Sequence, residues 1–187
     1  NFMLSYNGPM SKIFSSHLET KKYQTKYRAH FITITEDVEN TIKTSGISQG
    51  TVIIQTHHTT CGVWVNENEK NLIGSSEELG YESDLRKALD GFANPATDYG
   101  HNDIFSSENK QGKRNTHLCH LNEGGIGYEC VNGHSHAQAM LIHSSLSMIV
   151  DGGKLLRGQW QEIMLVELDH DRERKVSFLV QGLKDFK

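Results

Sequence analysis

Residues 50–66 read GTVIIQTHHTTCGVWVN, and the two ends of this segment have the character of neighbouring strands. Residues 50–56 are rich in β-branched side chains and predict a buried strand, and residues 62–66 predict the next one. The polar string His57-His58-Thr59-Thr60 lies between them, so it is expected where two strands meet. Polar residues that follow a rigid strand are well placed to form a binding site.

The other elements are predicted from side-chain periodicity and from the residues that begin and end helices. Further strands are predicted at residues 28–35, 146–150, 162–168 and 175–181, and helices at 36–45, 82–92 and 137–143. Ser135 or Asn132 is expected to cap the last helix. Strands outnumber helices and short loops join several of them. The sequence therefore predicts an α+β fold with a mixed, mostly antiparallel β-sheet and a few helices.

The composition excludes several classes of protein. The 187 residues carry a formal net charge of -4 and no basic block, so nucleic acid is not an expected partner. No apolar run approaches the ~20 residues that a membrane-spanning helix needs, and no signal pattern indicates export. Three cysteines without a CxxC spacing fit reduced thiols, which predicts a cytoplasmic protein. Cys61 is either a small buried filler or a nucleophile beside His58.

The chain is expected to form one domain. Residues 1–9 are predicted to be a tag or a disordered leader, because Met10 has the character of a natural start and Gly8-Pro9 that of a cloning remnant. No repeat or linker composition divides residues 10–187, which are predicted to fold together. Residues 93–125 form a long polar stretch, and a loop of this length is usually functional or mobile.

Several of the 11 histidines fall in three polar strings. These are His57-His58-Thr59-Thr60, Tyr99-Gly100-His101-Asn102-Asp103 and Asn132-Gly133-His134-Ser135-His136. Neutral imidazole is the commonest metal ligand and a base poised near neutral pH. The strings are far apart in sequence, which is typical of a site assembled by folding. We expect His58, His101 and His136 to converge on a metal ion or a substrate phosphate; scattered surface histidines are the alternative.

The third string is compatible with two local structures. On a strand His134 and His136 would share a face, whereas at a helix start they lie roughly 200° apart and only one points inward. The helical pattern after Ala137 favours the helix. The positive end of a helix dipole also favours neutral imidazole, which is the ligand form. We expect His136 to be the inward-pointing ring and the metal ligand, with His134 as the alternate, and we expect His134 to contact substrate.

Further polar residues are candidates for catalysis. Asp103 is expected to orient a histidine ligand or to act as a base, with a local Asx turn as the alternative. Glu67 has the same candidate role, with a solvated strand end as the alternative. Arg172 and Arg174 are expected to offset leaving-group charge, although paired arginines on a hairpin are usually solvated. Substrate contacts are predicted for Thr59, Thr60, Asn102, His134, Trp160 and Gln161.

Taken together, these strings resemble those of the YjbQ family, described as secondary thiamine-phosphate synthase-like proteins. The likeness runs from about residue 18 to about residue 185. Two departures are His170-Asp171, where the family usually has Gly-Pro, and His143, where it usually has glycine. The matching residues are His58-Thr59-Thr60, Asn66-Glu67-Asn68, residues 99–103 and 132–136, Ala139, Leu141, Gly153, Leu155, Gly158, Trp160, Gln161, Glu167, Asp169, Arg172 and Arg174.

The resemblance implies a single YjbQ-like domain that assembles as a homotrimer, with a metal or anion site built from the histidines. It also implies an enzyme: a transferase that joins a pyrimidine pyrophosphate to a thiazole phosphate, giving thiamine phosphate and pyrophosphate. The alternatives are a metal-dependent hydrolase of a small phosphate ester and a non-catalytic homo-oligomer that binds a metal or an anion. Three imidazoles suit zinc, whereas pyrophosphate leaving groups usually take magnesium, so the divalent metal stays open between the two. Direct binding of phosphate by the histidines is the remaining possibility.

Overall fold

The computed structural model describes residues 12–74, 83–103 and 131–185. Residues 1–9, Cys119, Cys130 and most of the polar stretch 93–125 lie outside this part of the chain. Among the described residues, no helix is both long and apolar enough to cross a membrane.

Strands dominate the described part of the chain. The strands are β1 (Lys12–Gln24), β2 (His30–Thr33), β3 (Ile47–Thr56), β4 (Cys61–Asn66), β5 (Ser145–Asp151), β6 (Lys154–Leu155), β7 (Glu162–Glu167) and β8 (Glu173–Asp185). The helices are α1 (Thr35–Ser45), α2 (Lys70–Ile73), α3 (Asp84–Phe92) and α4 (Gly133–Gln138), and a 3₁₀ turn spans Gly100–Asn102.

The strands form two sheets. The larger has the order β1-β8-β3-β5-β6 and the smaller the order β2-β7-β4. Every strand pair within the described ranges is antiparallel. The predicted α+β class is confirmed.

The smaller sheet is the middle layer of the fold. In β7, Ile163 and Leu165 belong to the core shared with α1 and the larger sheet. Met164 and Val166 alternate with them and belong to a second core with α3. Because alternate side chains of a strand point to opposite faces, β7 is buried on both sides. This explains its uninterrupted apolar sequence.

The predicted frame of the core is largely confirmed. Seven aliphatic residues of the predicted strands are expected to be buried: Val52, Ile54, Val63, Val65, Ile163, Leu165 and Val166. Six of them are at most 2% exposed. Val65 is only partly buried, near the end of β4.

β1 and α4 differ from expectation, and the short elements α2 and β6 were not predicted. β1 was not predicted, because it is an edge strand with no fully buried residue and so lacks the apolar alternation that marks a half-buried strand. The helix predicted at residues 137–143 instead spans Gly133–Gln138. Asn132 precedes this helix without capping it through its side chain, and Ser135 lies inside it, where its hydroxyl donates to the carbonyl of Leu168.

Candidate functional site

Two of the three predicted metal ligands lie side by side. The ring centroids of His101 and His136 are 4.6 Å apart, with their planes at 67°. His101 is in the 3₁₀ turn and is exposed, and His136 is in α4 and is partly buried. We call these two residues the histidine pair. Residues 35 positions apart in the sequence are thus adjacent in the fold.

The histidine pair is held by a contact between the two segments that carry it. The backbone N–H of Gly133, at the start of α4, donates to Asn102 Oδ1 at 2.9 Å. A Cβ at position 133 would lie 2.5 Å from Cβ of Tyr99, so the close approach needs glycine. The predicted substrate ligand Asn102 therefore positions the turn that bears His101.

The expectation that His136 is the inward-pointing ring is wrong, because His136 is only partly buried and the ring that points into the protein is that of His134. His134 is 7% exposed, and its Nε2 lies 3.2 Å from Ser135 Oγ. Because that hydroxyl already donates to Leu168 O at 2.7 Å, the ring must donate through Nε2 and carries a lone pair on Nδ1. Burial lowers the pKa of His134 and the positive charge of Arg28 lowers it further, which favours the neutral ring.

His58, the third predicted metal ligand, lies beyond the end of β3 and makes a different contact. Its Nε2 accepts a hydrogen bond from the backbone N–H of Lys175 at 2.9 Å. Partial burial lowers the pKa of His58, and the positive charge of Arg174 lowers it further. Among the described residues, no three side chains of His, Cys, Asp or Glu are grouped so as to hold a metal ion. The structure therefore brings together two of the three expected ligands and not the third.

Arg174 forms a buried ion pair with Glu167. The two side chains are 3% and 0% exposed, and both Nε and Nη2 of the guanidinium contact the carboxylate. Thr60 Oγ1 accepts from Arg174 Nη2 at 3.1 Å, and Thr25 Oγ1 donates to Glu167 at 2.9 Å. The predicted catalytic Arg174 and substrate ligand Thr60 thus lie in an internal polar network.

The hairpin loop between β7 and β8 is tied to the start of α4 through Asp169. Its carboxylate is 4% exposed and accepts through Oδ2 from Arg172 Nη2 at 2.9 Å and from Asn132 Nδ2 at 2.9 Å. Arg172 Nη2 also lies 2.7 Å from His170 Nε2. The predicted catalytic Arg172 therefore neutralises a buried carboxylate of its own loop. Asp169 and Asn132 were not predicted as site residues, although both occur in the strings that carry the family resemblance.

A second polar contact that sequence reasoning missed fixes α4 against α3. Arg28 binds both oxygens of Asp90, at 2.6 and 2.8 Å. The buried Gln138 of α4 donates to Asp90 Oδ1 at 3.3 Å and to the carbonyl of Ala93 at 3.0 Å. The one available signal was the four-residue spacing between Gln138 and His134, which places both on one face of the helix.

The remaining predicted residues have local roles or face solvent. Glu67 is exposed, and its backbone N–H donates to Asn66 Oδ1. Asp103 is exposed at the end of the 3₁₀ turn. Gln161 Oε1 accepts from the backbone N–H of Gly158. Thr59 is exposed, and Trp160 is 67% exposed.

Cys61 is the buried filler of the two alternatives. Its side chain is 2% exposed, and burial raises the pKa of the thiol to about 12, with the nearby Glu167 carboxylate adding to the shift. A thiol with so high a pKa holds almost no thiolate at neutral pH and is a poor nucleophile.

A family model described as UPF0047 protein YjbQ-like matches residues 19–183. The chain belongs to the YjbQ family. A UPF0047 protein of Methanothermobacter thermautotrophicus is 27% identical over 175 residues, which are 94% of this chain and 96% of that protein. The UPF0047 protein YugU of Bacillus subtilis is 24% identical, covering 88% and 99% of the two chains.

Solved structures agree with this placement. A YbjQ-like protein of unknown function from Sulfolobus solfataricus superposes with a TM-score of 0.70 at 26% identity, covering 91% of this chain and 99% of that one. An uncharacterised YjbQ/UPF0047 protein from Clostridium acetobutylicum gives a TM-score of 0.62 at 27% identity, covering 87% and 98%.

These relatives confirm the predicted family and correct the predicted activity. The family is known by the label UPF0047, and the Sulfolobus protein is described as one of unknown function. The prediction of a thiamine-phosphate synthase is therefore wrong: the resemblance identifies a family and does not bring a reaction with it. Phosphate-ester hydrolysis finds no support among these relatives either.

Proposed function

We propose that this YjbQ protein binds a divalent transition-metal cation of the zinc class through His101 and His136. The observation that carries the proposal is the centroid distance of 4.6 Å between the two rings. Two imidazoles that share one zinc ion, at Zn–N distances of ~2.0–2.1 Å and a tetrahedral angle, have centroids about 5 Å apart. The spacing within the histidine pair is close to this value.

The donor atoms favour zinc over magnesium. Imidazole nitrogen suits zinc, copper, nickel and iron, whereas magnesium prefers oxygen ligands and keeps several waters. The contact between Asn102 and Gly133 supports the proposal, since a fixed backbone limits the movement that both rings need to bind one ion.

The exposure of His101 leaves coordination positions accessible from solvent. With two protein nitrogens, a zinc-class ion has positions left for water or for a small anionic ligand. This is the place we propose for the small phosphorylated molecule expected from the sequence.

Metal titration tests the proposal directly. Metal-free protein is titrated with cobalt(II) by calorimetry, and the visible absorption of cobalt(II) reports nitrogen ligation. We expect one site per chain whose affinity falls by at least about 10-fold in His101→Ala and in His136→Ala. His17→Ala, which changes a partly exposed histidine of β1, is the matched control and should bind as the wild type does. Undiminished cobalt binding in a folded His101→Ala/His136→Ala double variant would overturn the proposal.

We further propose that the expected homotrimer forms on the outer face of the larger sheet. Leu18 pairs with Leu179, and Leu179 with Ile53, in adjacent strands, so the three side chains lie on one face. This face points away from the core, because the intervening residues Val180 and Phe178 are buried. Phe14, Leu18 and Ile149 are 68%, 64% and 56% exposed on it. An apolar sheet face of this kind is typical of an interface between subunits.

Sedimentation velocity tests the assembly. We expect a wild-type mass near three times the 21.1 kDa of one chain, and a smaller species for Leu18→Lys. Phe92→Lys introduces the same charge at a residue that is 51% exposed in α3, a helix that packs against the second core and not against the larger sheet, and should leave the trimer intact. A wild-type monomer, or a trimer that Leu18→Lys does not affect, would contradict the proposed interface.

A further inference from the structure

The loop between β7 and β8 places an imidazole where it must accept a hydrogen bond. Arg172 Nη2 lies 2.7 Å from His170 Nε2, and a guanidinium can only donate. His170 therefore accepts through Nε2 and carries its proton on Nδ1. That nitrogen faces two acceptors of Asp171, the backbone oxygen at 3.1 Å and a carboxylate oxygen at 3.4 Å. Both contacts are satisfied only when the ring is neutral.

We propose that His170 is a proton-operated latch: the neutral ring holds the Arg172 side chain against Asp169, and the protonated ring releases it. Protonation places an N–H on Nε2, so the acceptor of Arg172 becomes a donor that faces another donor. It also brings two positive charges into contact in a site where His170 is 6% exposed. Like charges at this distance repel strongly where water is excluded.

The proton gained by His170 has an acceptor within reach. Asp169 Oδ2 lies 3.9 Å from His170 Nε2 and is the same atom that binds Arg172 at 2.9 Å. A small rotation of the charged ring brings it to this carboxylate and replaces the guanidinium there. The backbone does not need to move, because the N–H of Arg172 donates to Thr25 Oγ1 at 2.8 Å and its carbonyl accepts from the backbone N–H of Thr25 at 2.9 Å.

The groups around the His170 ring are compatible with both its neutral and its protonated state. From its own loop it faces the carboxylates of Asp169 and Asp171 and the guanidinium of Arg172. The segment between β1 and β2 offers the neutral hydroxyl of Thr25, whose Oγ1 lies 3.2 Å from the carbonyl oxygen of His170. The segment before α4 offers the neutral amide of Asn132, across the Asp169 carboxylate. Two carboxylates can thus receive an imidazolium once the guanidinium has left.

The latch reaches α4 through one shared atom. Asp169 Oδ2 accepts from Asn132 Nδ2 at 2.9 Å, and Asn132 directly precedes that helix. When the partner of Asp169 changes from Arg172 to protonated His170, the hydrogen bond that Asn132 donates to the same oxygen is altered as well. The protonation state of His170 is therefore transmitted to the start of α4, the helix that carries His136.

The test is a pH titration of metal-free, ¹⁵N-labelled protein by NMR, which does not depend on the metal proposal. We expect the Nε–Hε signal of Arg172 and the backbone amide of Asn132 to shift together with the His170 ring signals as pH is lowered from about 8 to about 5. His170→Gln keeps an acceptor that cannot be protonated, and should lose the shared transition.

His143→Gln, which changes an exposed histidine before β5, should keep that transition. The proposal is overturned if the Arg172 and Asn132 signals do not respond to pH in the wild type. It is also overturned if they respond equally in folded His170→Gln.

Discussion

Asn102 Oδ1 accepts a 2.9 Å hydrogen bond from the backbone N–H of Gly133, and this contact sets the position of His101 relative to His136. The two histidines belong to segments with no strand or long helix in common. Their adjacency depends on how closely the 3₁₀ turn approaches the start of α4. The spacing of the proposed metal ligands is thus a consequence of packing between two short elements.

Gly133→Ala is expected to weaken metal binding without removing a ligand. The added Cβ would lie 2.5 Å from Cβ of Tyr99, so the 3₁₀ turn must move away from α4. Loss of a contact that positions a metal ligand without itself binding the metal typically lowers metal affinity by ~10–100-fold, which cobalt(II) titration would measure. Gly91→Ala is the matched control, because its Cβ would meet nothing within 4 Å. Equal affinities for the two variants would show that this approach does not position the histidines.

Removal of Arg174 is expected to be strongly destabilising. Arg174→Leu leaves the Glu167 carboxylate, which is 0% exposed, without its counter-charge. Breaking a buried ion pair in this way costs ~3–5 kcal/mol of the free energy of unfolding, measured by urea denaturation. The exposed pair Lys22–Glu173 provides the control: Glu173→Gln should change stability by no more than about 0.5 kcal/mol. A near-wild-type Arg174→Leu would contradict a structural role for this pair.

The buried strands could be predicted from the sequence because burial leaves a strong local pattern. The apolar runs of β3, β4 and β7 reflect cores on one or both faces. β1 pairs with β8 over 13 residues, yet its side chains stay exposed or half-buried, so its sequence carries no such pattern. An edge strand of this kind is specified by its partner strand rather than by its own side chains.

The site could be predicted only in part, because local sequence patterns mark single residues but not the contacts between distant segments. His101 and His136 were identified because short polar strings mark them. The helix-start geometry indicated that only one of His134 and His136 points inward, but the choice of His136 was wrong, since His134 is the buried ring. His58 was grouped with them, but its Nε2 instead accepts from the backbone of Lys175. The roles of Asp169 and Arg172 depend on contacts between distant segments, which have no counterpart in local spacing.

Ile54→Ala tests the predicted core of the larger sheet. Ile54 is 0% exposed in β3 and belongs to the core shared with the smaller sheet. Truncation removes buried methyl groups and leaves a cavity, which costs ~2–5 kcal/mol of the free energy of unfolding where the site cannot collapse. Met140→Ala, at a residue that is 75% exposed, should cost less than about 0.5 kcal/mol in the same urea denaturation series. A urea denaturation midpoint for Ile54→Ala close to that of the wild type would show that the Ile54 side chain is not packed as described.

His30 is expected to make stability depend on pH. Burial lowers the pKa of His30 below the usual value of a histidine, and the charge of Lys26 lowers it further. The unfolded chain therefore binds more protons than the folded one below about pH 6.5, so the contribution is complete above that pH and is lost as pH falls through the folded pKa. His30→Phe keeps a ring beside Tyr27 but cannot titrate, and urea denaturation at about pH 5 and about pH 7.5 should show a smaller loss of stability on acidification.

The loss of stability on acidification should not vanish in His30→Phe, since burial also lowers the pKa of His58 and His134. His143→Phe, at an exposed position, is the control, and an unchanged pH dependence in His30→Phe would refute the prediction.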